Sequence, residues 1–459
     1  MMADDEEMAD CPHPAMRKIA QFILDNRHKP VDERIREAVL KSILDLTVCA
    51  MLGVGESGPS AVRSVLSKTD GHGNVPVWFT GKTSSVIGAA WANAAAAMIM
   101  DLDDGHRLAR GHPGAAVIPS VFALAYGIKA PFDDVVAAIF IGYEIGISIA
   151  AARSSYGGSG TWTAAAVASA AAALSDMDLE QIEHALAFAI EEAPNQAFQS
   201  SPAPRNPPPE GSDTKEGIPW AVKTGLTAFY LAGAGHSGPR NILESDRLYK
   251  PFPQDWQPGA SPHVCATYLK LYTSCRHTHP PVDAMRQILA RNIIDPHQID
   301  AIEVEIYSGA LRITNKPAPL NTIDVQYSIP YVLALVALVG PETLLPVTQE
   351  ALVHTGVADL ARKVTLSLND EFDRRFPAET VCRVTVSVQG ERFSSDVTAP
   401  KGEASDPLSW VEIEEKLRMA TRYVATGKQQ QQLIDYFNRV RRGDFADLAR
   451  VFDTDLQTD

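Results

Sequence analysis

Apolar residues recur at helical spacing from 16 to 53, and Pro30 breaks the run before Val31-Asp-Glu-Arg opens a second helix. The segment 75–80, Val-Pro-Val-Trp-Phe-Thr, reads as a short strand, and an Ala-rich helix is predicted from Ser84 through Asp104. Small side chains there let helix backbones approach closely. Further helices are predicted at 118–126, 132–151, 163–174, 179–190 and 218–233. The stretch 200–213 is too rich in proline to be helical and reads as a surface or active-site loop. Residues 1–14 read as a frayed tail.

From about 265 the pattern changes. Residues 299–306, Ile-Asp-Ala-Ile-Glu-Val-Glu-Ile, alternate with the period of a half-buried strand. Residues 363–368 and 381–388 also read as strands, the latter turning through Gln389-Gly-Glu into 392–397. Helices are predicted at 281–291 and 325–339, and 410–452 reads as an amphipathic helical end. The predicted fold class is mainly α with an α+β second domain. Residues 15–264 form an all-helical domain, 265–400 an α+β domain, and 401–459 a helical C-terminus returning to the first.

Composition narrows the function. The 459 residues carry 41 Lys and Arg against 56 Asp and Glu, a net charge of −15. Nucleic acid and anionic membrane surfaces are bound through exposed cations, so neither is expected as a partner. Five cysteines, Cys11, Cys49, Cys265, Cys275 and Cys382, are scattered without a CxxC pair. That fits reduced thiols in a cytoplasmic protein and supplies no thiolate set for an iron–sulfur cluster. The acidic residues 1–10 lack the apolar run of a signal peptide. Two segments mimic membrane spans, but 135–152 contains Glu144 and 164–174 is too short, so both read as buried helices.

Two clusters could carry chemistry. Asp101-Leu-Asp-Asp-Gly-His106 followed by His112-Pro-Gly puts three carboxylates and two imidazoles within twelve residues. On a continuous helix Asp101 and Asp104 would be neighbours. The cluster reads as tuned acid–base groups, or equally as a solvated helix end with a capping His; the spacing does not match a known metal motif. Lys270-Leu-Tyr-Thr-Ser-Cys-Arg-His-Thr-His279 gathers four potential cations just before a helix, which suits an anion pocket. The alternatives are a solvated basic loop, or zinc held by Cys275 and the two histidines. Lys215 in a Gly- and Ser-rich turn and Tyr331 in Tyr327-Ser-Ile-Pro-Tyr are weaker signals, a solvated Lys and a core Tyr being the alternatives.

The chain resembles the MmgE/PrpD family, which includes 2-methylcitrate dehydratases, cis-aconitate decarboxylases and an iminodisuccinate epimerase. The resemblance rests on Ser85-Val-Ile-Gly-Ala-Ala-Trp-Ala-Asn with Asp101-Leu-Asp-Asp-Gly-His and His112-Pro-Gly, then Lys215, the Lys270–His279 block and Tyr327-Ser-Ile-Pro-Tyr. It implies a helical domain made from both chain ends, an α+β lid and a homodimer. It also implies an inter-domain cleft that acts on a small di- or tricarboxylate without a cofactor or metal. Family catalytic positions would fall on Asp101, His112, Lys215 and Lys270, with Cys275, Arg276, His277, His279 and Tyr331 binding substrate. The chain departs from the family pattern at Gly105, where many members carry Thr or Tyr, and at Trp162.

The reaction expected from the resemblance is acid–base dehydration of a 2-methylcitrate-like hydroxy-tricarboxylate, with His112 and Asp101 as the acid–base pair. Decarboxylation and epimerisation are the alternatives within the enzyme class, and a non-catalytic carboxylate binder is the alternative outside it.

Overall fold

In the computed structural model, residues 11–195, 209–253, 255–444 and 456 are described. Most of the predicted tail, residues 200–208 of the proline-rich loop and nearly all of the chain after 444 lie outside them. Nine longer helices form the first unit: α1 (Pro14–Asn26), α2 (Glu33–Gly53), α3 (Ser57–Thr69), α4 (Val86–Met98), α5 (Gly114–Ile128), α6 (Phe132–Ala152), α7 (Gly160–Ala173), α8 (Leu179–Glu191) and α9 (Ile218–Gly233). Strands β1 (Val75–Val77) and β2 (Lys82–Ser84) make an antiparallel pair before α4.

The alanines make this packing possible. A Cβ on Gly53 of α2 would lie 1.9 Å from the carbonyl oxygen of Ala96 in α4, so only glycine admits that approach. Helix α6 is long and apolar enough to cross a membrane, but it is mostly buried in the helical core. Its Glu144 accepts backbone N–H groups from Gly259 at 2.8 Å and His263 at 3.0 Å.

The second unit is built on four strands in the order β6-β5-β7-β8: β5 (Ile299–Ile306), β6 (Val364–Leu368), β7 (Arg383–Val388) and β8 (Glu391–Ser394). β5 runs parallel to β6 and antiparallel to β7. Helices α10 (His279–Arg291) and α11 (Ile329–Leu338) pack in the same core, through Val282, Met285, Leu333 and Leu335. Helices α12 (Trp410–Ala420) and α13 (Gly427–Arg441) place Ile413, Leu417 and Phe437 in the first core. A two-residue pairing ties the units together: β3 (Gly105–His106) lies antiparallel to β4 (Thr267–Tyr268).

Three predicted helices differ. The run 325–339 is two helices, because the Ser328 hydroxyl caps Tyr331 N–H and starts α11 afresh. The run from 410 breaks at 421–426, where Thr426 caps α13 in a capping box. The Ala-rich helix ends at Met98 rather than running through Asp104. Asp101 takes a left-handed φ of 52°, so Asp101 and Asp104 are not partners on a helix face.

Candidate active site

The end of α4 organises the site. A helix C-terminus leaves carbonyls without partners and carries the negative end of the helix dipole. Lys215, just before α9, donates Nζ to the carbonyl of Ile99 at 3.0 Å and to Gln326 Oε1 at 2.7 Å. Lys270, just after β4, donates Nζ to the Asp101 carbonyl at 2.8 Å and to Asp101 Oδ1 at 2.5 Å. Two lysines distant in sequence thus satisfy carbonyls just past the helix end and supply the charge facing Asp101. Lys215 Nζ stands 3.9 Å from the other carboxylate oxygen.

Burial alone would raise the pKa of Asp101, but Lys270, Lys215 and His112 hold it well below the usual carboxylate range. Burial would lower Lys270, yet Asp101 and Asp103 drive it above the usual lysine value. Burial wins at Lys215, which is lowered despite the same two carboxylates. Asp103 is raised by burial, against His112 and Lys270. Asp104 is pushed up to about 7 by burial, even though Tyr143 donates to it at 2.7 Å and Gly114 N–H at 2.9 Å.

His112 is pinned at both ends. Its ring Nδ1 donates to the Asp104 carbonyl at 2.6 Å. That leaves Nε2 as the nitrogen facing Asp101 Oδ1, at 3.8 Å. Its backbone N–H donates to Ser159 Oγ at 3.1 Å, and Ser159 in turn donates through both N–H and Oγ to Glu216 Oε2 at 3.0 Å. Glu216 follows Lys215 directly, with φ of 33°. One strained turn therefore orients a lysine on one side and a histidine on the other.

The other sequence candidates separate. Cys275 approaches the cluster, its thiol pushed up to about 12 by burial and Asp101. His277 shares a 2.7 Å hydrogen bond with the Tyr307 hydroxyl, and burial with Arg107 lowers it to about 3. His279 donates Nε2–H to the Ser274 carbonyl at 3.2 Å and accepts from Arg276 at 3.3 Å, and burial keeps it neutral. Arg276 is committed to Glu403, at 2.6 Å from Nη2, and to the Lys401 carbonyl. Of the four cations expected between 270 and 279, two are therefore neutral imidazoles and Arg276 faces an acid. Tyr331 lies in the core of the second unit, its hydroxyl donating to the Ala351 carbonyl at 2.9 Å. Tyr327, from the same motif, instead places its ring 5.6 Å from Lys215 Nζ.

Several supporting residues lacked a readable signal. Gln326 and the Ser159–Glu216 link are polar residues in unremarkable local sequence. Arg107 and Arg276 both hold Glu403, and each guanidinium lies 4.6 Å from the Tyr268 ring centroid. A Cβ on Gly105 would come within 2.3 Å of the Tyr268 hydroxyl, so Tyr268 fills the space that a side chain at 105 would need.

Asp101, Asp103 and His112 bring ligand atoms within 4.8 Å of one another, close enough for a metal ion. Lys270 and Lys215 already set positive charge against Asp101, and a cation there would meet their repulsion.

The model of the MmgE/PrpD N-terminal domain matches residues 17–255, and that of the C-terminal domain matches 272–441. The chain belongs to the MmgE/PrpD family. The family's C-terminal model thus takes in α12 and α13, which pack against the first core. A cis-aconitate decarboxylase of Aspergillus terreus is 25% identical over 417 residues, covering 82% of this chain and 83% of that protein. A human cis-aconitate decarboxylase is 24% identical over 366 residues, covering 72% of this chain and 71% of that protein. The protein is therefore an enzyme of the MmgE/PrpD type, in a family of lyase character.

Proposed function

We propose that this enzyme is a lyase of small tricarboxylates that removes CO₂ from a cis-aconitate-like substrate. The names of its relatives support the substrate class. The observation that carries the reaction is the Nε2 of His112, which faces Asp101 while Nδ1 is spent on a carbonyl. Decarboxylation breaks a C–C bond, releases CO₂ and leaves the electron pair on carbon, delocalised into a neighbouring carboxylate. It then needs a single proton, which the imidazolium form of His112 supplies to that carbon from Nε2, leaving the neutral ring with Nδ1–H still on the Asp104 carbonyl. The ammoniums of Lys215 and Lys270 provide fixed positive charge for the enolate-like species. Cys275 and Tyr327 line the same region.

Dehydration of a 2-methylcitrate-like substrate is the second reading, favoured by the lowered pKa of Lys215. That reaction needs a base for the α-proton and an acid for the leaving hydroxyl, roles open to His112 and Lys215. Asp101, held so firmly ionised, is a weak base, which counts against an Asp101–His112 pair. Incubation with cis-aconitate, citrate, 2-methylcitrate and iminodisuccinate, with products identified by NMR, tests the proposal. Loss of CO₂ from cis-aconitate is expected. Water loss from 2-methylcitrate alone would transfer the assignment to the second reading.

A further inference from the structure

Lys416 is a lysine wholly inside the protein, on a helix contributed by the far end of the chain. Both its side chain and that of Asp45 are 0% exposed. Lys416 lies on α12, and Asp45 on α2, and they form an ion pair. Lys416 Nζ also reaches the carbonyl of Leu102 at 3.4 Å. Leu102 sits between Asp101 and Asp103. Three lysines from three distant places therefore converge on carbonyls within residues 99–102, just past the end of α4: Lys215 on Ile99, Lys270 on Asp101 and Lys416 on Leu102. Lys215 and Lys270 act from the side of the Asp101 carboxylate, and Lys416 from the α2–α12 side.

Such a buried pair is a poor stabiliser, because desolvation offsets most of its Coulomb gain, and an apolar pair of similar volume serves a fold equally well. Its Asp45 Oδ2 has no hydrogen-bond partner, so the pair is not arranged to maximise hydrogen bonding. Its location gives it another use. We propose that Lys416 is a positioning residue, which anchors the Leu102 carbonyl and so fixes the direction of the Asp101 and Asp103 side chains toward His112. The site is then incomplete without the C-terminal helices, although they contribute no group that faces His112.

The charged and titratable groups facing the Asp45–Lys416 pair are Cys49 from α2, Asp103 and Asp104 from the loop, Tyr143 from α6 and Lys270 from the segment after β4. Burial raises Asp45 in spite of Lys416, so removing the lysine alone leaves an acid that takes up a proton.

The test compares the wild-type enzyme with Lys416→Met and with Asp45→Asn/Lys416→Met, the latter removing both charges so that the core stays matched. Two readouts are taken. Amide hydrogen exchange needs no substrate: amides of 101–106 should lose protection about tenfold in the double variant while those of α7 keep theirs. Turnover rests on the lyase reading above: kcat should fall about tenfold or more, with KM within about threefold of wild type. Unchanged exchange at 101–106 would overturn the proposal whatever the substrate turns out to be. Loosened exchange with wild-type kcat would overturn it as well. Absence of turnover by the wild type on every carboxylate would instead count against the lyase reading, and the exchange result would still decide the anchoring role.

Discussion

His112 gives its Nδ1 hydrogen to the carbonyl of Asp104 at 2.6 Å, and this fixes Nε2 as the nitrogen that faces Asp101 at 3.8 Å. The tautomer is thus set by a backbone atom and not by a carboxylate. Any proton that the ring delivers leaves from the side of the cluster where Lys270 and Lys215 stand.

The first prediction follows from that geometry. His112→Gln keeps a polar side chain of similar reach but removes the proton donor. Its kcat should drop about 100-fold to 10,000-fold, with circular dichroism unchanged. Steady-state kinetics on the substrate found by the product panel checks this, and a loss under tenfold would remove His112 from the acid role.

The Asp101–Lys270 pair sets the second. Lys270→Met leaves a buried carboxylate with Lys215 as its remaining cationic neighbour at 3.9 Å. Breaking such a pair costs about 3–5 kcal/mol. Asp101→Asn/Lys270→Met should recover most of this stability in urea unfolding and none of the turnover. Recovery of turnover in the double variant would show that the charges are not used by the reaction.

Asp104 gives a pH signature. Burial lifts its carboxyl to about 7 from an ordinary value of 3.8. Between these values the folded state holds a proton that the unfolded chain has released, so this group makes stability fall as pH rises, then level off above 7. The slope from one such group is at most about 1.4 kcal/mol per pH unit. Urea unfolding between about pH 5 and pH 8 should show the decline, and Asp104→Asn should flatten it. An equal slope in the variant would assign the effect to other buried groups.

Position 105 offers a packing prediction. With the Tyr268 hydroxyl 2.3 Å from where a Cβ would stand, Gly105→Ala should cost about 1–3 kcal/mol. In a Tyr268→Ala background the same change should cost little. Thermal denaturation of the four proteins forms a double-mutant cycle, and additive losses would mean that Tyr268 is not what excludes a side chain there.

Much of this arrangement was legible in the sequence. The apolar periodicities located the helices of the first unit and β5, because burial on one face or on all faces leaves a periodic trace. Helix α3 was not among the predicted helices: only three of its residues are buried, too few to leave a clear apolar stripe. The end of α4 was missed for another reason. Alanine favours helix up to Met98, and the carbonyls past it are held by ammoniums from residues 215 and 270, which no local pattern reveals. Dense charge around 101–112 and 270–279 marked the two segments that meet, but not which side chains face each other. Residue type alone made His277, His279 and Arg276 cations of one pocket. Burial and Glu403 give them different states, and burial is a property of the folded chain.

The central claim is that one ring nitrogen of His112 protonates a carbanion formed by loss of CO₂. Turnover of cis-aconitate by the wild type and His112→Gln in D₂O, followed by NMR, tests it most directly. The account predicts CO₂ release by the wild type, with solvent deuterium at one carbon of the product, and loss of product formation in the variant. Wild-type rates of deuterated product from His112→Gln would contradict it.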